Sequence, residues 1–250
     1  MRTLVIHALC LLLSLPAFAN SSNSFRCEAM LPQEFQVPSL KYCNQKIVYI
    51  PASVEDKYNS PYFDVYMTDQ VLKNNNMGAM VVNLPNKQKK IVYRSASLAG
   101  SPFCLNELVS KRQVNTIVNL IARPIAHAQF LQALEEDEFR SIGGASYFHV
   151  LNYGVTPDTI VNAQFFQLIT TIIKQILHTK GDVLIHCVSG EHDTGIIFAI
   201  LQKCYNKIPV DIIKKSTLCH IGPQVYSYQK ASYNILSQVI DEYPCSLLTE

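Results

Sequence analysis

A thiol stands at Cys187 inside the segment His186-Cys187-Val188-Ser189-Gly190-Glu191-His192-Asp193-Thr194-Gly195. Before it lies a short uncharged apolar run, Val183-Leu184-Ile185, and after it a second apolar run from Gly195 to Leu201. Strand, tight loop and buried helix in that order set the loop's backbone N–H groups at a helix N-terminus, where they attract an anion. A thiolate nucleophile needs a depressed pKa, which a helix N-terminus, clustered amides or a nearby cation can supply. In phosphate transfer such a thiolate attacks phosphorus, the amides hold the equatorial oxygens, and a bidentate guanidinium best holds the developing charge. Cys187 has the helix and the amides, but the segment contains no arginine.

The elements that must position this loop follow from the pattern on either side. From residue 91 the chain alternates strand and helix. Ile91-Val92-Tyr93 reads as a strand, Leu105 to Arg112 as a helix, and Thr116-Ile117-Val118-Asn119-Leu120 as a strand. Phe130 to Phe139 reads as a surface helix rich in acid, and Ser146 to Val150 as the next strand. Pro157-Asp158 opens a long amphipathic helix, Ile160 to His178, whose apolar residues recur at helical spacing. Residues 208–242 read as further helices, with Pro209 and Pro223 at their starts. Alternation of this kind implies a sheet covered by helices. Residues 20–90 read as a polar, irregular extension packed on that domain, with strand-like runs at Ile47 to Ile50 and Met80 to Asn83 and a turn at Asn74-Asn75-Asn76 and Gly78.

Strand-His-Cys-x-x-Gly-x-x-Arg-Thr-Gly-helix is the signature of the cysteine-based protein tyrosine and dual-specificity phosphatases. Leu184 to Gly195 resembles it at every signature position except the arginine, which is Asp193. Tyr93-Arg94-Ser95-Ala96-Ser97-Leu98 is similar to the Tyr-Arg-Ser-x-x-Leu stretch of bacterial and atypical dual-specificity members, and the resemblance covers about residues 91–205. It implies a three-layer α/β fold, a central sheet flanked by helices, with no organic cofactor and no metal. It makes Cys187 the nucleophile, His186 the residue that orders the loop, and Thr194 the hydroxyl that stabilises the departing thiolate. Val188, Ser189, Gly190, Glu191 and His192 then supply phosphate-binding amides, and Asp158 is the one occupant of the general-acid position. The alternative role of Asp158 is to cap the helix that follows.

Asp193 removes the guanidinium and adds a carboxylate where a dianion would sit. By analogy with arginines that stabilise phosphoryl transfer, the loss costs on the order of 10³ to 10⁵ in rate. A negative charge nearby also raises the thiol pKa. The sequence therefore points to a catalytically impaired phosphatase-like protein, a pseudophosphatase.

Other readings use the same residues. Arg94, Arg112 or Arg123 could reach the loop from elsewhere and keep a cysteine-dependent phosphomonoesterase active, although Arg94 also fits a structural surface role. Glu191, His192 and Asp193 with His186 and Cys187 are the right residue types for a zinc-like ion, but consecutive loop residues rarely all point inward and either of the first two alone is ordinarily solvated. The fold's groove could instead hold a partner protein or peptide without chemistry. Thiol redox lacks a Cys-x-x-Cys pair, and Ser189 lacks the Gly-x-Ser-x-Gly setting of a serine hydrolase. His127 and His149 have no spaced partners and read as structural.

Composition bounds these choices. With 250 residues, 48% hydrophobic and 16% charged, the chain fits one ordinary globular domain, read here as residues 91–250. Residues 1–19 read as a signal peptide: Arg2, an apolar run from Leu4 to Leu15, and the small-x-small site Ala17-Phe18-Ala19. That run is shorter than the ~20 residues that span a bilayer, so a secreted or periplasmic, bacterial-type protein without a stable membrane anchor is expected. A formal net charge of +2, lower by one after loss of Arg2, gives no case for nucleic acid, and the cluster Lys87-Gln88-Lys89-Lys90 with Arg94 reads as solvated. The partner implied is a phosphorylated ligand or protein. Without Cys10 in the leader, seven cysteines remain, an odd set in an oxidising compartment. If six pair, Cys187 is the natural one to stay free, whereas Cys204 suits either a buried thiol or a bridge.

Overall fold

The structure is a computed structural model. It describes residues 42–43, 75–85, 88–121, 126–150, 153–221 and 227–249. The expected leader, the strand-like run at 47–50, Arg123 and Pro223 lie outside the described residues.

Five strands form one sheet: β1 (Gly78–Asn83), β2 (Lys89–Ser95), β3 (Val114–Asn119), β4 (Ser146–His149) and β5 (Asp182–His186), in the order β1-β2-β5-β3-β4. β1 pairs antiparallel with β2, and all other pairings are parallel. β5 thus runs through the centre of the sheet, which explains its charge-free interior: a parallel strand covered on both faces must be apolar on both. Val183 and Ile185 join one core and Leu184 the other, as the two-residue side-chain period requires.

The helices divide accordingly. α1 (Pro102–Arg112) and α2 (Ala126–Ser141) contribute Leu105, Leu108 and Phe139 to the core shared with Tyr93, Ile117 and Leu184. On the other face, α3 (Ala163–His178), α4 (His192–Cys204), α5 (Val210–Ile221) and α6 (Ser227–Glu242) pack on Val92, Val118, Val183 and Ile185. This is the three-layer α/β fold, a central sheet flanked by helices. Ile169, Ile172, Ile173 and Ile176 form the buried stripe of α3 at the spacing read from the sequence. Burying four such side chains is worth about 1.5–3 kcal/mol each.

Several local expectations change. The long helix begins at Ala163, not at Ile160, because the Asn162 side chain caps it by accepting the Phe165 N–H at 2.9 Å. Pro157-Asp158 is instead an exposed turn, so Asp158 does not cap α3. Within the basic cluster Lys87 lies outside the described residues and Gln88 and Lys89 are exposed, as expected for a solvated run, but two of its members are not. Lys90 is buried, its Nζ donating to the Ile176 carbonyl at 3.0 Å and the Thr179 hydroxyl at 2.8 Å at the C-terminus of α3. Arg94 is buried as well. Within acid-rich α2, Glu135 is fully buried although Asp137 is exposed.

Disulfides join Cys43 to Cys104 and Cys204 to Cys245. Among the described residues Cys187 is the free cysteine. No described helix is long and apolar enough to cross a membrane. The expected boundary at residue 91 falls inside β2, and β1 of the expected extension is the edge strand of the same sheet.

Candidate active site

The loop begins where β5 ends, and its conformation is set from behind. Of the six carbonyls from His186 to Glu191, five accept a hydrogen bond and the sixth, of Cys187, faces the His186 ring. The Leu120 N–H donates to His186 O at 2.7 Å, the Ser97 N–H to Val188 O at 3.1 Å and the Gly195 N–H to Glu191 O at 2.9 Å. His186 Nδ1 faces Cys187 O at 3.2 Å, Asn76 Nδ2 donates to Ser189 O at 2.9 Å, and Arg94 Nη2 to Gly190 O at 2.5 Å. In a trans peptide the carbonyl and the following N–H point in opposite directions, and none of the described bonds is cis. Donors gripping the carbonyls of Val188, Ser189 and Gly190 therefore turn the N–H groups of Ser189, Gly190 and Glu191 to the other side, the arrangement that favours an anion.

Gly190 is required by this arrangement. It has φ +72°, and a Cβ there would fall 2.4 Å from the Ser95 carbonyl oxygen. The stretch Tyr93 to Leu98, noted for its resemblance, is thus the floor under the loop. Arg94, only 1% exposed, also places its guanidinium 5.1 Å from the Phe198 ring centroid. It reaches the loop, as one reading allowed, but from the carbonyl side and not as a surface residue.

His186 is held by a second buried group. Its Nε2 lies 2.8 Å from Glu135 Oε2, with both side chains fully buried. Glu135 also accepts the Leu98 N–H and the Tyr147 hydroxyl, and Asn119 Nδ2 donates to that hydroxyl at 2.9 Å. Burial alone would raise the Glu135 pKa, but the His186 imidazole, the Tyr147 hydroxyl and the Leu98 amide together hold it below the usual carboxylate range. The phenol of Tyr147 is pushed far up by burial and by Glu135, so it stays a donor.

The reactive end differs. Cys187 is 5% exposed. Burial raises its thiol pKa and the Asp193 carboxylate raises it further, while the hydroxyl and N–H of Thr194 act in the opposite sense and Glu191 adds to the rise. The thiol is held above its ordinary range, the direction expected from Asp193. Asp193 itself faces the segment after β4: its Oδ1 accepts the Val155 N–H at 2.7 Å, and its carbonyl accepts the Tyr153 hydroxyl at 3.1 Å. Thr194 is fully buried beside the sulfur.

Asp158 lies on the exposed turn three residues beyond Val155. Glu191 and His192 are buried, not solvated as either alone would ordinarily be. Burial lowers the His192 pKa to about 4, so its ring is neutral at pH 7. Val188 is the loop side chain most open to solvent, 40% exposed. His186 turns its Nε2 to Glu135, and among the described residues no group of three or more His, Cys, Asp or Glu is arranged to hold a metal ion. His149 pairs with Glu136 at 3.0 Å on the surface, and the side chain of His127 lies outside the described residues.

Sequence reasoning missed Asn76 and Glu135. The sequence marks Asn76 only as a turn residue. Its φ of 49° fits that reading, but its amide also donates to the His220 carbonyl at 3.0 Å and its oxygen meets His220 Nδ1 at 2.8 Å. Nothing in an Asn-rich run signals such partners. Glu135 did carry a signal: it lies four residues before Phe139, on the same helix face as that buried ring.

A central parallel strand ending in a cysteine loop that runs into a buried helix, inside a three-layer α/β fold, is the arrangement that the resemblance of the loop's sequence implied. Solved structures similar to this chain include the core catalytic domain of the PP-IP phosphatase SIW14 from S. cerevisiae, at 18% identity over 68% of this chain and 85% of that one, TM-score 0.47. P. aeruginosa TpbA is similar at 16% identity over 63% and 84%, TM-score 0.41. A PTP-like phytase from Bdellovibrio bacteriovorus is similar at 14% over 63% and 80%, TM-score 0.41. No protein-family model and no curated protein matches the chain.

Proposed function

We propose that this chain is an exported protein of the tyrosine and dual-specificity phosphatase type whose phosphate-loop site around Cys187 is catalytically impaired by Asp193. One observation carries the reading. The carboxylate at the arginine position spends its oxygen on the Val155 N–H, while the thiol beside it is buried with a raised pKa. A phosphate dianion brought to the loop would meet a neutral thiol, a carboxylate and no guanidinium in the arginine's place. The reading of a substitute cation is weakened by Arg94, whose Nη2 serves the Gly190 carbonyl behind the loop. Were the chemistry intact, Cys187 would be the nucleophile, Asp158 the acid, Thr194 the stabiliser of the thiolate, and the amides from Val188 to His192 the phosphate cradle. In the impaired form the loop no longer takes up phosphate, and the fold's groove serves as a binding surface for a partner protein in the periplasm or outside the cell.

The test is hydrolysis of a generic aryl phosphate by protein lacking residues 1–19, with and without added divalent metal, beside Cys187→Ser. Turnover indistinguishable from that of Cys187→Ser is expected. Turnover that Cys187→Ser abolishes would replace this reading with that of an active phosphomonoesterase.

A further inference from the structure

At the arginine position a small carboxylate has taken on contacts that reach out of the loop. Its Oδ1 accepts the Val155 N–H and its backbone carbonyl accepts the Tyr153 hydroxyl, so both bonds tie one residue of the loop to one short segment. That segment is also packed. Tyr153 and Val155 are buried in the same apolar core as Cys187, and the Tyr153 ring stacks on Phe165 of α3 with centroids 6.0 Å apart and planes 13° from parallel. The phenol is near enough to feel both Asp193 and Cys187. Two residues on, the chain leaves the core for the exposed turn that carries Asp158.

We propose that Asp193 is a clasp: in place of an arginine, its carboxylate holds the segment Tyr153 to Val155 shut against the N-terminus of α4 and beside Cys187. An N–H to carboxylate bond is charge-assisted and stronger than a neutral one. Packing of Tyr153 on Phe165 closes the segment from the α3 side, and the carboxylate closes it from the α4 side. The substitution at 193 then has two effects, the loss of a phosphate ligand and the gain of a lock on the segment leading to the general-acid turn. The clasp concerns the same loop as the proposed function but does not depend on whether that loop turns over phosphate.

The test reads the clasp without an activity assay. Amide hydrogen exchange at Val155 is compared in the natural chain, Asp193→Asn and Asp193→Ala, with Leu184 and Ile185 of β5 as internal controls. Asparagine keeps an acceptor and loses the charge; alanine loses both. Val155 exchange is expected to quicken on the order of 10-fold or more in Asp193→Ala, less in Asp193→Asn, with β5 unchanged. Alkylation of Cys187 by iodoacetamide, followed at its own peptide by mass spectrometry, is expected to be several-fold faster in alanine than in asparagine. Those two variants match in charge at 193, so their ratio reports opening and not thiol ionisation. Equal alkylation in the two, or Val155 exchange unmoved by alanine, overturns the clasp. Should alanine also unprotect β5, the natural chain decides. A scalar coupling across the hydrogen bond from the Val155 nitrogen to the Asp193 carboxyl carbon supports the clasp, and an unprotected Val155 amide without it refutes the clasp. Turnover by the natural chain would sink the impaired reading and leave these outcomes as they stand.

Discussion

The two sides of one loop have been treated differently. On the carbonyl side, from His186 to Glu191, every oxygen has a polar partner, and two of the donors, Asn76 and Arg94, are buried side chains from β1's approach and from β2. A further buried pair, His186 with Glu135, backs the first residue of the loop. On the thiol side a carboxylate stands where the guanidinium of the signature would be, and a short segment has closed against it. The difference teaches that shaping the loop and using it are separable. Most of the hydrogen bonds that shape it come from distant parts of the chain, whereas the charge beside the thiol comes from one residue at the start of α4.

The comparison can be broken first from behind. Glu135→Ala leaves His186 buried without its carboxylate, and a broken buried pair costs on the order of 3–5 kcal/mol. Denaturant unfolding should show that loss. The pH dependence has a defined sign. The Glu135 pKa is depressed in the fold, so its stabilisation is full above the unfolded value of about 4.3 and is lost as pH falls through the lower folded value. The natural chain should weaken in that acid window by more than Glu135→Gln does. If the variant matches the natural chain in stability and in acid response, the His186 support is not what holds the loop.

Asn76→Gly keeps the left-handed backbone and removes the amide, isolating its hydrogen bonds to Ser189 and His220. A cost of about 1–3 kcal/mol is expected, since buried acceptors are left unpaired. Amide exchange should also rise at Gly190, the residue that follows the released Ser189 carbonyl. The smallest effect belongs to the thiol side. Asp158→Asn, on an exposed turn, should change stability by no more than about 0.5 kcal/mol. A larger loss would mean that the turn is built into the fold more deeply than its exposure shows.

The same asymmetry explains what could be read from sequence. Val183 to Leu201 carries strand, loop and helix in one contiguous stretch, so β5, the Cys187 loop and α4 were legible from local pattern alone. The α3 stripe was equally plain, and only its start was misplaced, because Pro157-Asp158 is a strong helix-opening signal and Asn162 is a quieter but better-placed cap. Contacts made across long separations were not legible. Asn76 meets Ser189 across 113 residues and His220 across 144. Lys90 sits in a run of lysines whose pattern predicts solvation, yet it caps the end of α3. That the Asp193 carboxylate raises the thiol pKa was legible, but its partner, the Val155 N–H, has no side-chain identity to read.

The central claim is that one residue disables a loop otherwise built to hold an oxyanion, and anion binding tests it more directly than turnover because it needs no general acid. Calorimetric titration with tungstate, metal-free, compares the natural chain with Asp193→Arg. The account predicts no binding by the natural chain at millimolar tungstate and saturable binding by Asp193→Arg that alkylation of Cys187 blocks. Tight binding by the natural chain at the Cys187 loop would contradict it.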